Sequence, residues 1–214
     1  MNKLNRKENT KKKILLALKQ QLMDQGFRGI GINVVARRAG VSKELIYRYF
    51  GSMDNLIRDL MVQEDYWAMQ SSKDVESYNN SKFVNKENEI INMLFQQIED
   101  LRNNKELQEI RRWELIDLND LTFELSQRRE TSSKDFLKRN GIVEGDIEAG
   151  KLAILLSGIL YLVLRSKISN EWFGINLEDN NGWDILKLSL KNLVKASFSE
   201  KNNLNGEDVQ KEKK

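Results

Sequence analysis

Apolar residues recur along most of this chain at intervals of three and four, the spacing that lines one face of an α-helix. Ile14, Leu15, Leu18 and Leu22 form the first such stripe. It predicts a helix from about residue 8 to Gly26, where a glycine is placed to end it. After the break FRGIG, with Gly31 in front, a second helix is expected from Ile32 to about Ala39. Gly40 and Val41 form a turn. Ser42 is a natural N-cap for a third helix, and Glu44 falls in its first turn, near the positive end of the helix dipole. Gly51 closes that helix. Ser52 and Asp54 open a fourth, which carries Leu56, Ile57, Leu60 and Met61 inward and is expected to run to about Ser77.

The remainder also reads as helix. The polar SYNNSK is a loop, and NEIINMLFQQIEDLRNN is a fifth helix with apolar Ile90, Ile91, Leu94, Phe95, Ile98 and Leu101. Helical runs follow near 105–118 and 119–139. NGIVEGD then breaks the chain before a long helix from about Asp146 to Ile168. NEWFGINLEDNNG is the longest irregular segment, and a last helix is expected from Trp183 to about Ser199. The final residues are nearly devoid of apolar side chains and are expected to be disordered. Period-two alternation and internal repeats are not evident. The pattern predicts an all-α protein of about nine helices: a small head at 1–55, a larger helical body at 56–200 and a disordered tail at 201–214.

Composition narrows the chemistry. Apolar residues make up 40% and charged residues 31%, and proline is absent, so little interrupts long helices. There is no cysteine, which removes disulfides and thiol chemistry and suits a reducing cytoplasm. There is no histidine either, so a His-based dyad or triad is impossible and a metal site would need carboxylates alone. With no phosphate-binding glycine loop, an enzyme is disfavoured, and no metal or cofactor is expected. The basic start MNKLNRKENTKKK is not followed by the apolar core of a signal peptide. The longest apolar stretch, LAILLSGILYLVL, spans 13 residues. A membrane span needs roughly 20, so it reads as a buried helix and no membrane is expected. Charge is split: residues 1–60 hold 13 Lys/Arg against 5 Asp/Glu, residues 61–214 hold 22 against 27. A basic head on an acidic body suits a polyanion partner, although an ordinary solvated surface would carry the same charges.

The segment AGVSKELIYRYF, residues 39–50, displays more polar and aromatic side chains than a core helix would. Two helices that cross steeply need a small residue in the first, a glycine in the turn and an apolar residue in the second to close the core. Ala36, Gly40 and Ile46 have that arrangement. The wider segment GFRGIGINVVARRAGVSKELIYRYFGSMDNLI, residues 26–57, resembles the N-terminal domain of the TetR family of bacterial transcriptional regulators. The matching elements are Gly26-Phe27, Val35-Ala36, Ala39-Gly40-Val41-Ser42, Ile46-Tyr47, Tyr49-Phe50 and Ser52 with Leu56. Two positions depart from the family's habit: Gly31 stands where a Ser or Thr usually caps and contacts phosphate, and Met53 stands where a Lys is common.

In a helix-turn-helix the outward residues of the second helix face the major groove. The candidate DNA contacts are Ser42, Lys43, Glu44, Tyr47 and Arg48. Lys43 or Arg48 could pair with guanine, and Glu44 could either accept from cytosine or merely complement the dipole. Tyr49 joins Tyr47 as the aromatic pair that the resemblance associates with phosphate or thymine methyls, and Asn33 matches a position able to reach a base or phosphate. Lys11, Lys12 and Lys13 either attract phosphate nonspecifically or only solvate a helix start.

For the body, the resemblance implies a cavity in the middle helices and a homodimer made by the last two. Trp67, Met93, Phe95, Trp113, Phe123 and Tyr161 are the candidate pocket residues, with core filling as the alternative for each. Arg111, Arg112, Glu114 and Asp117 could hold a ligand's polar end or pair with one another. Gly158 would permit close helix approach. The function so implied is a cytoplasmic repressor that binds a palindromic double-stranded operator as a dimer and is released by an apolar or amphipathic small molecule. The alternative is a DNA-binding protein of the same fold without such an effector, regulated by a protein partner or acting in chromosome organisation.

Overall fold

The structure, a computed structural model, describes residues 3–63 and 85–198. The expected end of the fourth helix near Ser77, the SYNNSK loop, Trp67 and the tail 201–214 lie outside the described residues. Among these there are nine α-helices: α1 Lys3–Gln25, α2 Ile32–Ala39, α3 Lys43–Phe50, α4 Met53–Gln63, α5 Lys86–Asn103, α6 Lys105–Ile116, α7 Asp120–Arg139, α8 Ile147–Arg165 and α9 Asn180–Phe198. A 3₁₀ turn, Phe27–Gly29, joins α1 to α2. A two-stranded antiparallel hairpin, β1 Glu171–Trp172 and β2 Ile175–Asn176, lies between α8 and α9.

With no proline to punctuate the chain, polar caps delimit the helices. Side-chain oxygens of Ser42, Ser52, Asn85, Asn104, Asn119, Asp146 and Asp179 accept from backbone N–H groups in the first turns of α3 to α9. Each satisfies a donor that has no partner within its helix. Gly40 ends α2 in the left-handed region (φ 65°, ψ 38°). There its own N–H reaches Ala36 and Arg37, and the Val41 N–H returns to the Ala36 carbonyl at 3.0 Å. A side chain at that φ is strained even though open space surrounds the position.

The chain forms two compact units. The first combines α1–α4 with α6 and the start of α7, residues 104–131. Its core joins Ile14, Leu18 and Leu22 of α1 to Val35, Ile46, Leu56 and Leu60, with Ile110 and Trp113 of α6 and Leu125 of α7 completing it. The second holds α5, the end of α7, α8, the hairpin and α9. In it α5 packs on α8 and α9, and Ile90, Leu94 and Ile98 of α5, Ile159 and Val163 of α8 and Val194 of α9 are all buried.

The structure departs from the sequence reading at several points. α1 begins at Lys3 rather than near residue 8, because Lys, Arg and Glu sustain a helix without needing a buried face. The segment read as irregular holds the hairpin, and α9 begins three residues before Trp183 because Asp179 caps it through the Gly182 N–H at 2.8 Å. A Cβ on Gly182 would sit 1.6 Å from the Asn176 carbonyl oxygen, so β2 seats directly against the first turn of α9. Nor is α8 a buried helix. Leu152, Ile159 and Val163 are its buried residues, while Ile154 is 74% exposed. By length and composition alone it could cross a membrane, a test that core helices of soluble proteins also pass. Among the described residues Gly158 makes no close helix approach, since a Cβ there meets nothing within 4 Å.

Candidate nucleic-acid interface

Helix α3 has a buried side and a displayed side. Ile46 and Phe50 turn into the core, and Leu45 and Tyr49 are half-buried. Ser42, Lys43, Glu44, Tyr47 and Arg48 are exposed, which brings five of the seven candidate DNA contacts together on the first two turns of one helix. Asn33 is exposed at the second position of α2. The Ser42 hydroxyl accepts from the Leu45 N–H at 3.2 Å and so fixes the start of α3. Glu44's own backbone N–H, then the Ser42 hydroxyl, hold the Glu44 carboxyl below the usual carboxylate range. Its carboxylate is thus engaged at the positive helix end, the geometry of dipole complementation.

Tyr49 is not displayed like Tyr47. Its ring lies on the edge of the core between two cations, with Lys7 Nζ and the Arg48 guanidinium each 5.8 Å from its centroid. Lys11 Nζ stands 5.6 Å from the Phe50 ring. Arg6, Lys7, Asn9, Thr10 and Lys13 of α1 face Gly40, Val41, Leu45, Arg48 and Tyr49 across an open groove of about 1480 Å³. The sequence reading named Lys11–Lys13 but not Arg6, Lys7 or Thr10. Those three join the groove because α1 begins earlier than its apolar stripe does. The signal was present in the Lys, Arg, Glu and Leu residues that make up most of the run from Lys3 to Lys13 and the absence of Gly or Pro within it.

The two departures from the family pattern have visible consequences. Gly31 occupies the N-cap of α2 in extended conformation and gives no side-chain bond. Met53, at the head of α4, packs against the core.

The candidate pocket residues are divided between the two units, and Trp67 lies outside the described residues. In the first unit Trp113 is buried, stacked flat on Phe27 with centroids 3.9 Å apart, while Phe123 is 66% exposed. A hollow of about 300 Å³ beside the stack is bordered by Arg28, Glu109, Arg112 and Trp113. In the second unit Met93 is core, Phe95 is half-buried near Lys187, and Tyr161 is half-exposed. The charged residues near Trp113 pair with one another: Arg111 with Glu114 at 3.4 Å, Arg112 with Glu109, and Arg129 with Glu114. Burial, opposed by Arg111, pushes the Glu114 carboxyl up to about 7.

Two helices joined by a left-handed glycine turn, the second capped by serine and displaying cationic and aromatic residues beside a basic groove, define a helix-turn-helix domain of the DNA-binding class. Residues 14–60 match the model of the bacterial regulatory proteins, tetR family. That segment is therefore a tetR-family head, and the chain carries the fold of solved tetR-family regulators. No functionally curated protein matches the chain in sequence. Among solved structures, a TetR family transcription regulator from Marinobacter aquaeolei is 14% identical over 89% of this chain and 97% of its own, with a TM-score of 0.58. NalD of Pseudomonas aeruginosa, the secondary repressor of the MexAB-OprM multidrug efflux pump, is 16% identical over 86% and 96%, at 0.57. The transcriptional regulator FadR of Bacillus subtilis, solved in complex with stearoyl-CoA, is 16% identical over 86% and 96%, at 0.55.

Proposed function

We propose that the chain is a cytoplasmic, dimeric DNA-binding transcriptional regulator, a repressor that an apolar or amphipathic small molecule releases from its operator. The observation that carries this reading is the tetR-type head with Ser42, Lys43, Tyr47 and Arg48 exposed on one helix. Lys43 and Arg48 are the side chains suited to guanine O6 and N7, and Tyr47 to phosphate or a thymine methyl. The basic groove between α1 and α3 suits backbone phosphate, the contact that positions a head without reading sequence. An operator read by two identical heads is palindromic, with half-sites about one helical turn apart. The effector class draws on the FadR neighbour, whose ligand is an acyl thioester.

The test is a salt titration of binding to DNA from the chain's own promoter region and to random duplex. Tyr47→Ala and Arg48→Ala are each expected to weaken promoter binding by about 1–3 kcal/mol with folding by circular dichroism unchanged. Variants that fold normally and bind both DNAs like the parent would remove the reading.

A further inference from the structure

The hairpin between α8 and α9 turns through two residues, Phe173 and Gly174, because Trp172 pairs with Ile175. Both have positive φ, 52° and 74°, the mark of a type I′ turn. The first position of such a turn favours Asn, Asp or Gly, and a bulky residue held there is strained. This chain places a phenylalanine there, and its ring is 87% exposed. Beneath it the support is firm. The Phe173 ring meets Trp172 edge-on at 5.2 Å, the Arg165 guanidinium lies 3.8 Å from the Trp172 ring centroid, and Tyr161 meets the same ring at 5.8 Å. A strained backbone that displays an aromatic ring to water on a braced platform is explained by something that receives the ring.

A receiver lies in the same patch. Phe173 itself forms one wall of an apolar hollow of about 280 Å³ beside the hairpin, with Gly158, Tyr161, Leu162, Trp172, Ile175, Leu177 and Leu186 as the rest of its border. The missing side chain of Gly158 leaves it open, since a Cβ there would meet nothing within 4 Å. We infer that the hairpin is a docking element for a second copy of this chain, the Phe173 ring of each protomer seating in the hollow of the other. A patch that carries both a protruding ring and a hollow is satisfied by its own two-fold image, which makes the contact twice. The surface around it continues in the same character. Ile154, Gly158 and Tyr161 recur at i, i+4 and i+7 on α8 and so share a face, and Ile185 and Leu188 are more than half exposed on α9.

The inference rests on the dimer in the proposed function and assigns the hairpin a part in it. Sedimentation of the full chain from nanomolar to micromolar concentration separates the two, using the parent, Phe173→Asn, Phe173→Tyr and Leu188→Asp. Asparagine is the preferred residue at that turn position, so Phe173→Asn is expected to fold and melt at least as well as the parent by single-chain criteria. Its dimer dissociation constant is nonetheless expected to rise at least about tenfold, while Phe173→Tyr stays near the parent value. If Leu188→Asp breaks the dimer and Phe173→Asn does not, the helices associate and the hairpin inference is wrong. A parent that is monomeric throughout overturns both, and the patch then serves a different occupant.

Discussion

Gly182 shows how much one missing methyl can decide. Its Cβ would fall 1.6 Å from the Asn176 carbonyl oxygen, a backbone atom that cannot swing aside as a flexible side chain could. That close approach fixes where β2 meets α9, and it positions the Trp183 indole, whose Nε1–H donates to the Leu177 carbonyl at 2.9 Å. Gly182→Ala is therefore expected to destabilise the chain by several kcal/mol despite alanine's higher helix propensity, since overpacking costs about 1–3 kcal/mol and the lost indole bond adds about 1. Denaturant melts of the two proteins check it, and an unchanged midpoint would show that the hairpin shifts at no cost. Other single residues are tied to local rules. Ser42 and Gly40 were legible from the sequence alone because capping and left-handed turns depend on a few neighbouring atoms. Gly182 was not legible, because its constraint comes from a strand that only the folded chain brings close.

Among the elements, α1 had the least visible boundary and has the clearest electrostatic consequence. Its first two turns place Arg6 and Lys7 at the groove beside Arg48 and Tyr49. If each neutralises one phosphate, Arg6→Ala and Lys7→Ala should each make the slope of log binding constant against log salt shallower by about one unit on promoter and random DNA alike. A slope that stays at the parent value would take α1 out of the interface. Glu124 of α7 offers a second check at this scale. It accepts from Arg58 of α4 at 2.9 Å and from Arg128 at 2.9 Å. The Arg58 bond, ahead of the opposing burial, holds its carboxyl below the ordinary value of 4.5. A carboxyl depressed by folding contributes stability that is complete above 4.5 and is lost as pH falls through its lower folded value. Glu124→Gln is expected to lower stability by about 0.2–1 kcal/mol at pH 7 and to lie closer to the parent near pH 3, read from urea melts across that range. The helices themselves were readable because period and caps are local. The hairpin escaped because each strand has two residues, too few for alternation to register, and its turn residue is not one that turn chemistry favours.

At the scale of the whole molecule, the regulatory half of the proposal turns on binding that differs between two states of the dimer. A ligand that binds the folded chain raises its melting temperature by mass action, but it lowers operator affinity only if it prefers the conformation that DNA does not. A thermal-shift screen over apolar and amphipathic small molecules tests for such a ligand. A positive compound is expected to weaken promoter binding by about 5- to 150-fold. A broad screen without hits would favour the effector-free regulator. The candidate pocket residues were the hardest to read from the sequence. Trp113 and Tyr161 were singled out as equivalent aromatics, yet one stacks in a core and the other stands on a half-exposed face. What an aromatic ring does is set by packing partners distant in the chain, and periodicity carries no record of them.

The flat stack of Phe27 on Trp113 has an optical consequence. The chain holds four tryptophans, of which Trp172 and Trp183 belong to the second unit and Trp67 lies outside the described residues. With those three replaced by phenylalanine, the remaining indole emits from inside the first unit, shielded from water by a ring that belongs to the link between α1 and α2. Its colour and quenching would then report, in solution and in real time, whether that link stays closed over α6 as DNA or an effector arrives.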